Sequence, residues 1–173
     1  MPMRLLLGGA RSGKSALAVR LAQSWSGLVV FVATAQAHDA EMAGRIERHR
    51  RDRPHGWTTV EEPVELVATL KDTPANAFVV VDCLSLWASN VMEAGWTNDE
   101  IEHAARTGAE ALSVRVSPSV VVSNEVGLGI VPATELGRAY RDVLGRVNAV
   151  FAEAAESAQL IVAGRALELR PPA

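Results

Sequence analysis

A chain of 173 residues, 49% hydrophobic and 21% charged, is long enough for one domain (residues 1–173) with a substantial core and too apolar to be disordered. Its formal charge of −3 gives no whole-chain basic field for nucleic acid or an anionic membrane, and its single cysteine, Cys83, excludes an internal disulfide framework and a cysteine-rich zinc site. Apolar runs such as Leu28–Ala33 and Phe78–Val81 are far too short to span a bilayer, and the opening MPMRLLLGGARSGKS lacks a signal-peptide layout, so the expectation is a cytoplasmic domain with no membrane insertion.

In chain order, Met3–Leu7 reads as a strand, followed by a glycine turn and a helix over about Ser15–Trp25. Leu28–Ala33 is a second buried strand. Asp39–Arg51 has helical character with Asp39 as its N-cap, and Asp52–Pro54 ends it because residues before proline leave the helical region. Pro63–Leu70 suits a short helix with proline in its first turn. Phe78–Val81 is a third strand ending in Asp82, and Leu84–Met92 is helical. Thr97-Asn-Asp-Glu100 forms a capping box for a helix towards Val114. Ser119–Ser123 is a fourth strand. Ala133–Ser157 is a long helix with apolar positions at Leu136, Tyr140, Val143, Leu144, Val147 and Phe151. Gln159–Ala163 is a fifth strand, and Ala166–Leu169 a short last one. Short apolar strands alternating with helices define an α/β fold, a mostly parallel sheet covered on both faces. Ligands in such sheets bind beyond the C-terminal strand ends. That directs attention to Gly8–Ser15, Thr34–Asp39, Asp82–Ser85, Asn124–Pro132 and the chain from Gly164.

Gly8-Gly9-Ala10-Arg11-Ser12-Gly13-Lys14-Ser15 satisfies G-x-x-x-x-G-K-[ST] between a strand and a helix. The glycines let backbone N–H groups turn towards phosphate oxygens, and the helix presents its positive N-terminus to the same anion. Lys14 brings a compact ammonium to the outer phosphates, and Ser15 offers a hydroxyl to Mg²⁺. The chain has fifteen arginines and only two lysines, and one of the two is Lys14. Asp82, at the end of an apolar strand, suits the second Mg²⁺ ligand of a P-loop nucleotide hydrolase or kinase; the competing reading is an N-cap for the helix from Leu84. The N-K-x-D motif of regulatory GTPases is absent, Ser123-Asn124-Glu125-Val126 being the nearest text.

The segment Arg45–Arg53 carries five arginines against two acids inside a chain that is acidic overall. One reading is a solvated helix laced by Glu47–Arg51 and Arg48–Asp52 pairs. The other is an anion site with a nucleophile at its centre: Arg45, His49 and Arg53 share a face if the helix continues that far. Neighbouring arginines favour a neutral imidazole, which can attack phosphorus, and they clamp the charge of a transferring phosphoryl group. His38, His55 and His103 lack this setting and are read as structural or surface residues.

Further blocks complete a pattern. They are V-A-T-A at Val32–Ala35, D-x-E-M-x-x-R-I-x-x-H-R from Asp39 to Arg50, and W-x-T-x-E from Trp57 to Glu61. V-D-C-L-S-L-W-x-S-N follows from Val81 to Asn90, N-E-V-G-L-G-I-V-P from Asn124 to Pro132, and R-D-x-x-G-R-V-N from Arg141 to Asn148. With the phosphate loop, R-P at Arg53–Pro54 and V-A-G at Val162–Gly164, they run from end to end of the chain. The sequence resembles the bifunctional adenosylcobinamide kinase / adenosylcobinamide-phosphate guanylyltransferase family of cobalamin biosynthesis.

The resemblance implies a RecA-like P-loop fold, commonly trimeric, with two reactions in one domain. A phosphoryl group moves from ATP or GTP to adenosylcobinamide. A histidine then takes GMP from GTP, releasing pyrophosphate, and passes it to adenosylcobinamide phosphate. It implies that His49 is the guanylylated residue. Nucleotide contacts would fall on Gly8–Ser15, Ala33, Thr34, Ala35, Arg50, Arg51, Asp52, Arg53, Glu61 and Asp82. Read from the residues alone, a small-molecule P-loop kinase without guanylyl transfer and a non-catalytic nucleotide-binding scaffold stay open. Asn124–Pro132 is equally a rigid turn or a site loop bearing Glu125.

Overall fold

The computed structural model describes residues 3–37, 39–51 and 53–172, without the side chains of Glu41 and Arg45. His38 and Asp52, and the side chain of Arg45, therefore lie outside the described residues. The elements run β1 (Met3–Leu7), α1 (Lys14–Gln23), β2 (Val29–Ala33), α2 (Ala40–Arg51), β3 (Thr58–Glu61), α3 (Leu66–Asp72) and β4 (Phe78–Asp82). They continue with α4 (Leu84–Glu93), α5 (Asn98–Ser113), β5 (Ser119–Val122), α6 (Glu135–Ala154), β6 (Ser157–Val162) and β7 (Arg165–Leu169). The strands form one sheet in the order β3-β2-β4-β5-β1-β6-β7. All neighbours are parallel except β7, which returns antiparallel along β6.

The central strands β2 and β5 are buried at every position, which is why they read as unbroken apolar runs rather than alternating ones. One face of the sheet is covered by α3, α4, α5 and α6, which bury Leu66, Trp87, Ile101, Leu112, Leu144 and Phe151 against Leu5, Val79, Val81 and Val121. On the other face α1 packs Ala18 and Ala22 against Leu6, Phe31, Val80 and Val120. Small residues there let the phosphate-loop helix approach the sheet closely. Burying a full-sized aliphatic or aromatic side chain contributes about 1.5–3 kcal/mol, so the larger face dominates the core.

The capping box forms as read: the Glu100 N–H donates to Thr97 Oγ1 and the Thr97 N–H to Glu100 Oε2. Asp39 caps α2 by accepting the Met42 N–H at 2.7 Å. Three expectations change. Thr58–Glu61 is an edge strand that the apolar pattern did not mark, its outer residues being threonine and glutamate. Helix α2 stops at Arg51, as expected from Pro54, so the condition for a face shared by Arg45, His49 and Arg53 is not met and Arg53 reaches the site from the bend after the helix. Helix α3 begins at Leu66, leaving Pro63 outside its first turn, where the Glu62 carboxylate instead gathers the N–H groups of Val64 and Glu65. Leu136 is exposed on the first turn of α6, before that helix meets the sheet.

Candidate active site

The phosphate loop leaves β1 and enters α1 through Gly13, whose φ of 103° is a left-handed conformation that glycine adopts without strain. Gly8, at φ 149°, has no room for a side chain, because a Cβ there would collide with the Ile161 carbonyl. The loop is fixed from both sides. The Gly164 N–H donates to the Ser12 carbonyl at 2.9 Å, and the Glu125 N–H to the Gly8 carbonyl at 3.1 Å. Lys14 is buried with its Nζ donating to the carbonyls of Gly8 and Gly9, both at 2.7 Å. Its ammonium thus sits in the mouth of the loop. Ser15 follows on the first turn of α1, while Ala10 and Arg11 form the exposed tip.

Two strand positions away, a row of expected site residues lies along the C-terminal edge of the sheet. Ala33 of β2 is in register with Glu61 of β3 on one side and Asp82 of β4 on the other. The missed strand β3 is therefore what places Glu61. Strand β5 lies between β4 and β1, so Asp82 and the phosphate loop are separated by two interstrand spacings, roughly 10 Å.

The C-terminal end of α2 closes onto this row. His49 Nδ1 stands 3.9 Å from Asp82 Oδ2, and Arg50 Nη2 pairs with Glu61 Oε1 at 3.1 Å. Beyond the helix, the Arg53 guanidinium stacks over the Phe31 ring at 3.8 Å, and its Nη1 donates to Thr59 Oγ1 at 3.2 Å. Burial pushes Arg53 below the usual arginine range; Asp82 is the strongest charge opposing that shift, Arg50 reinforces it and Glu61 opposes it. Arg51 pairs with Glu47 at 4.0 Å, as the helical spacing implied. Arg50, Arg51, Arg53, His55, Trp57 and Thr59 line an open cavity of about 400 Å³. His55, read as a surface residue, is exposed and stands on its wall.

Asp82 is the last residue of β4, and the N-cap of α4 is Cys83, without a side-chain cap bond. The capping role for Asp82 is therefore not realised, and its carboxylate faces the site. The Asp82–Cys83 peptide is cis. Behind it, Thr34 Oγ1 donates to the Cys83 carbonyl at 2.7 Å and accepts the Cys83 N–H at 2.9 Å, while Asn90 Nδ2 donates to the Thr34 and Pro63 carbonyls. Thr34 and Asn90 are buried. The hydroxyl of Thr34 is thus spent on tying β2 to β4, and Ala35 is the half-buried residue that follows it. Asn90 is not among the site residues read from the sequence; its place at the end of the V-D-C-L-S-L-W-x-S-N block is the signal that points to it.

The loop from Asn124 to Pro132 is anchored at its root by Asn148, whose Nδ2 donates to the Asn124 carbonyl and whose Oδ1 accepts from Ser123 Oγ. The Glu125 carboxylate accepts the Gly127 N–H at 2.6 Å, so it shapes its own turn. Leu128, Ile130 and Val131 project into solvent.

A mostly parallel sheet with this loop after its first strand, a carboxylate on the second strand over and basic side chains above the edge defines a P-loop nucleotide-binding α/β domain. The fold is shared with the RadB recombinase (TM-score 0.53, 16% identity, 92% of this chain and 73% of that one). It is also shared with the flagellar accessory protein FlaH of Methanocaldococcus jannaschii (TM-score 0.53, 13% identity, 92% and 70%).

Residues 4–169 match the family described as cobinamide kinase / cobinamide phosphate guanyltransferase, and the chain belongs to that family. It is 44% identical over 168 residues to the bifunctional adenosylcobalamin biosynthesis protein CobP of Pseudomonas aeruginosa, covering 96% of each chain. It is 36% identical over 181 residues to the protein of that description named CobU in Escherichia coli, covering 97% of this chain and 99% of that one.

Proposed function

We propose that this enzyme phosphorylates adenosylcobinamide from ATP or GTP and then, through His49, transfers GMP from GTP to adenosylcobinamide phosphate. The observation that carries the reading is the seating of His49 against Asp82 at the same sheet edge as the phosphate loop. A nucleotide held by the Gly8–Ser15 amides and Lys14 has its phosphates directed along that edge. Arg50, Arg51 and Arg53 supply positive charge on the same side, where charge accumulates on the leaving pyrophosphate. His49 attacks the α-phosphorus and splits one nucleotide transfer into two displacements.

Ser15 and Asp82 offer hard oxygen donors of the kind Mg²⁺ takes alongside phosphate oxygens. Among the described residues no cluster of three or more His, Cys, Asp or Glu side chains makes an all-protein cage, which suits an ion that arrives with its nucleotide. When bound, the ion would offset triphosphate charge. Exposed Leu128, Ile130, Val131 and Leu136 supply apolar surface for a neighbouring subunit in a trimer. A free, buried cysteine and triphosphate substrates favour the cytoplasm.

The test uses GTP labelled at the α-phosphate. Wild type retains label that is labile to acid and stable to base, His49→Ala retains none, and Lys14→Ala loses phosphoryl and guanylyl transfer together. Label retained by His49→Ala overturns the nucleophile. Phosphoryl transfer without any adduct in wild type makes the enzyme a kinase alone.

A further inference from the structure

We propose that Asp82 is the positioning residue for the nucleophile: its carboxylate holds the Nδ1–H of His49, leaving the lone pair on Nε2 to attack phosphorus. The inference rests on the reading of His49 as the guanylylated residue. It starts from which ring nitrogen faces which group. His49 turns Nδ1 towards Asp82 Oδ2 at 3.9 Å. A ring proton on the nitrogen facing a carboxylate is stabilised there, and the hydrogen bond made by one nitrogen decides which lone pair the other presents. The gap is longer than a hydrogen bond, so the contact is electrostatic, and a carboxylate at that range still favours the ring proton on the nitrogen that faces it.

Asp82 is well built for the task. Its side chain is 12% exposed against 38% for His49, so the partly solvated ring docks onto the better-held acid. The acid ends a fully paired central strand, in register with Ala33 and Val122. Its carbonyl accepts the Thr34 N–H at 3.2 Å, and the next peptide is clasped by the Thr34 hydroxyl. The carboxylate is thus fixed on the rigid sheet, while His49 rides on the end of α2. Orientation of the more exposed group by the better-held one is what a positioning residue does.

The chemistry balances without a proton leaving the ring. The Nε2 lone pair forms the N–P bond as the bond from the α-phosphorus to the bridging oxygen breaks, and that electron pair departs with pyrophosphate. The Nδ1–H remains against Asp82, which offsets the positive charge on the ring. An oxygen of the acceptor phosphate then attacks the same phosphorus, and the N–P pair returns to Nε2. The ring is restored in its starting tautomer, ready for the next GTP.

The test reads the ring directly. In ¹⁵N-histidine enzyme, free of nucleotide and metal, a two-bond ¹H–¹⁵N spectrum at pH 8.5 reports the tautomer of each of the four histidines, with His49 assigned through His49→Gln. Wild type is expected in the Nδ1–H form, and Asp82→Ala should lower the ratio of that form to the other by about threefold or more, less than the worth of a full hydrogen bond to a charged acceptor. An Nε2–H His49 in wild type, or an unchanged ratio in Asp82→Ala, overturns the proposal. Because the metal is absent, a role of Asp82 towards Mg²⁺ does not enter the reading. A second measurement needs no variant. The GMP adduct of wild type is digested, and ³¹P–¹⁵N coupling locates phosphorus on Nε2. Phosphorus on Nδ1 overturns the proposal and leaves His49 as the nucleophile; no phosphorus on His49 overturns the functional reading beneath it.

Discussion

Replacing Thr34 tests whether its hydroxyl builds the site or touches the nucleotide. Thr34 is fully buried, and its Oγ1 both donates to the Cys83 carbonyl and accepts the Cys83 N–H. Thr34→Val keeps the shape and removes both bonds. Each net bond is worth about 1 kcal/mol, and leaving the Cys83 N–H and carbonyl buried without a partner adds about 1–3 kcal/mol for the pair, so the loss should be about 3–5 kcal/mol. Thr34→Ser keeps the hydroxyl and loses one buried methyl, at about 1 kcal/mol. Urea unfolding followed by circular dichroism gives both numbers. If the serine protein is the less stable of the two, packing and not hydrogen bonding governs this position. If the valine protein keeps its stability but binds GTP more weakly, the hydroxyl belongs to the nucleotide and the clasp on Cys83 is refuted.

Thr97→Ala removes the capping box of α5 and should cost about 1 kcal/mol in urea unfolding, with guanylyl transfer unchanged. Arg50→Gln should shift stability by less than about 0.5 kcal/mol, because both partners of its pair with Glu61 are about half exposed, yet slow formation of the GMP adduct in a rapid-quench assay. Burial pushes the Cys83 thiol up to about 11, so native alkylation by iodoacetamide at pH 8 should be slower than in urea by about 100-fold or more. The same shift makes the folded state hold a proton that the unfolded chain releases. The thiol's contribution is intact below the usual thiol range and is lost as pH rises from about 9 towards 11; a urea midpoint that falls over that window in wild type and less in Cys83→Ser checks the sign.

What the sequence made legible follows from where information is local. The phosphate loop is contiguous, and its parts act within one turn, so the eight residues from Gly8 to Ser15 were readable at once. Strands β2, β4 and β5 are buried on both sides and announce themselves as apolar runs. Strand β3 did not, because an edge strand with half-exposed threonines carries no such run, and its place beside β2 is settled only when the sheet assembles. Glu61 had a position in a motif but no neighbour until then. His49 and Asp82 are separated by thirty-two intervening residues and belong to different elements, so their proximity is a property of the fold and no periodicity encodes it. The end of α2 at Arg51 was legible from Pro54 nearby, because a proline constrains the residue before it locally, whereas the partner that Arg53 meets beyond that end, the Phe31 ring, was not.

The two carboxylates in the row explain how so basic a segment can lie on the sheet at all. Arginines at 50, 51 and 53 repel one another, and a helix end carrying them would lift away from the edge without compensation. Asp82 offsets the cost of burying the Arg53 charge, and Glu61 holds Arg50. The compensation is incomplete by design of the sequence: Lys14 and the arginines outnumber Glu61 and Asp82, so the edge keeps a positive field for a triphosphate. The two acids are also unequal. The Arg50–Glu61 pair is open to water and contributes little to stability, so Arg50 can exchange a carboxylate for a phosphate at small cost. Asp82 is nearly enclosed, and the Thr34 clasp fixes the peptide that follows it. A site in which the cations are loosely held and one acid is rigid can accept an anion and still present the imidazole in a single orientation.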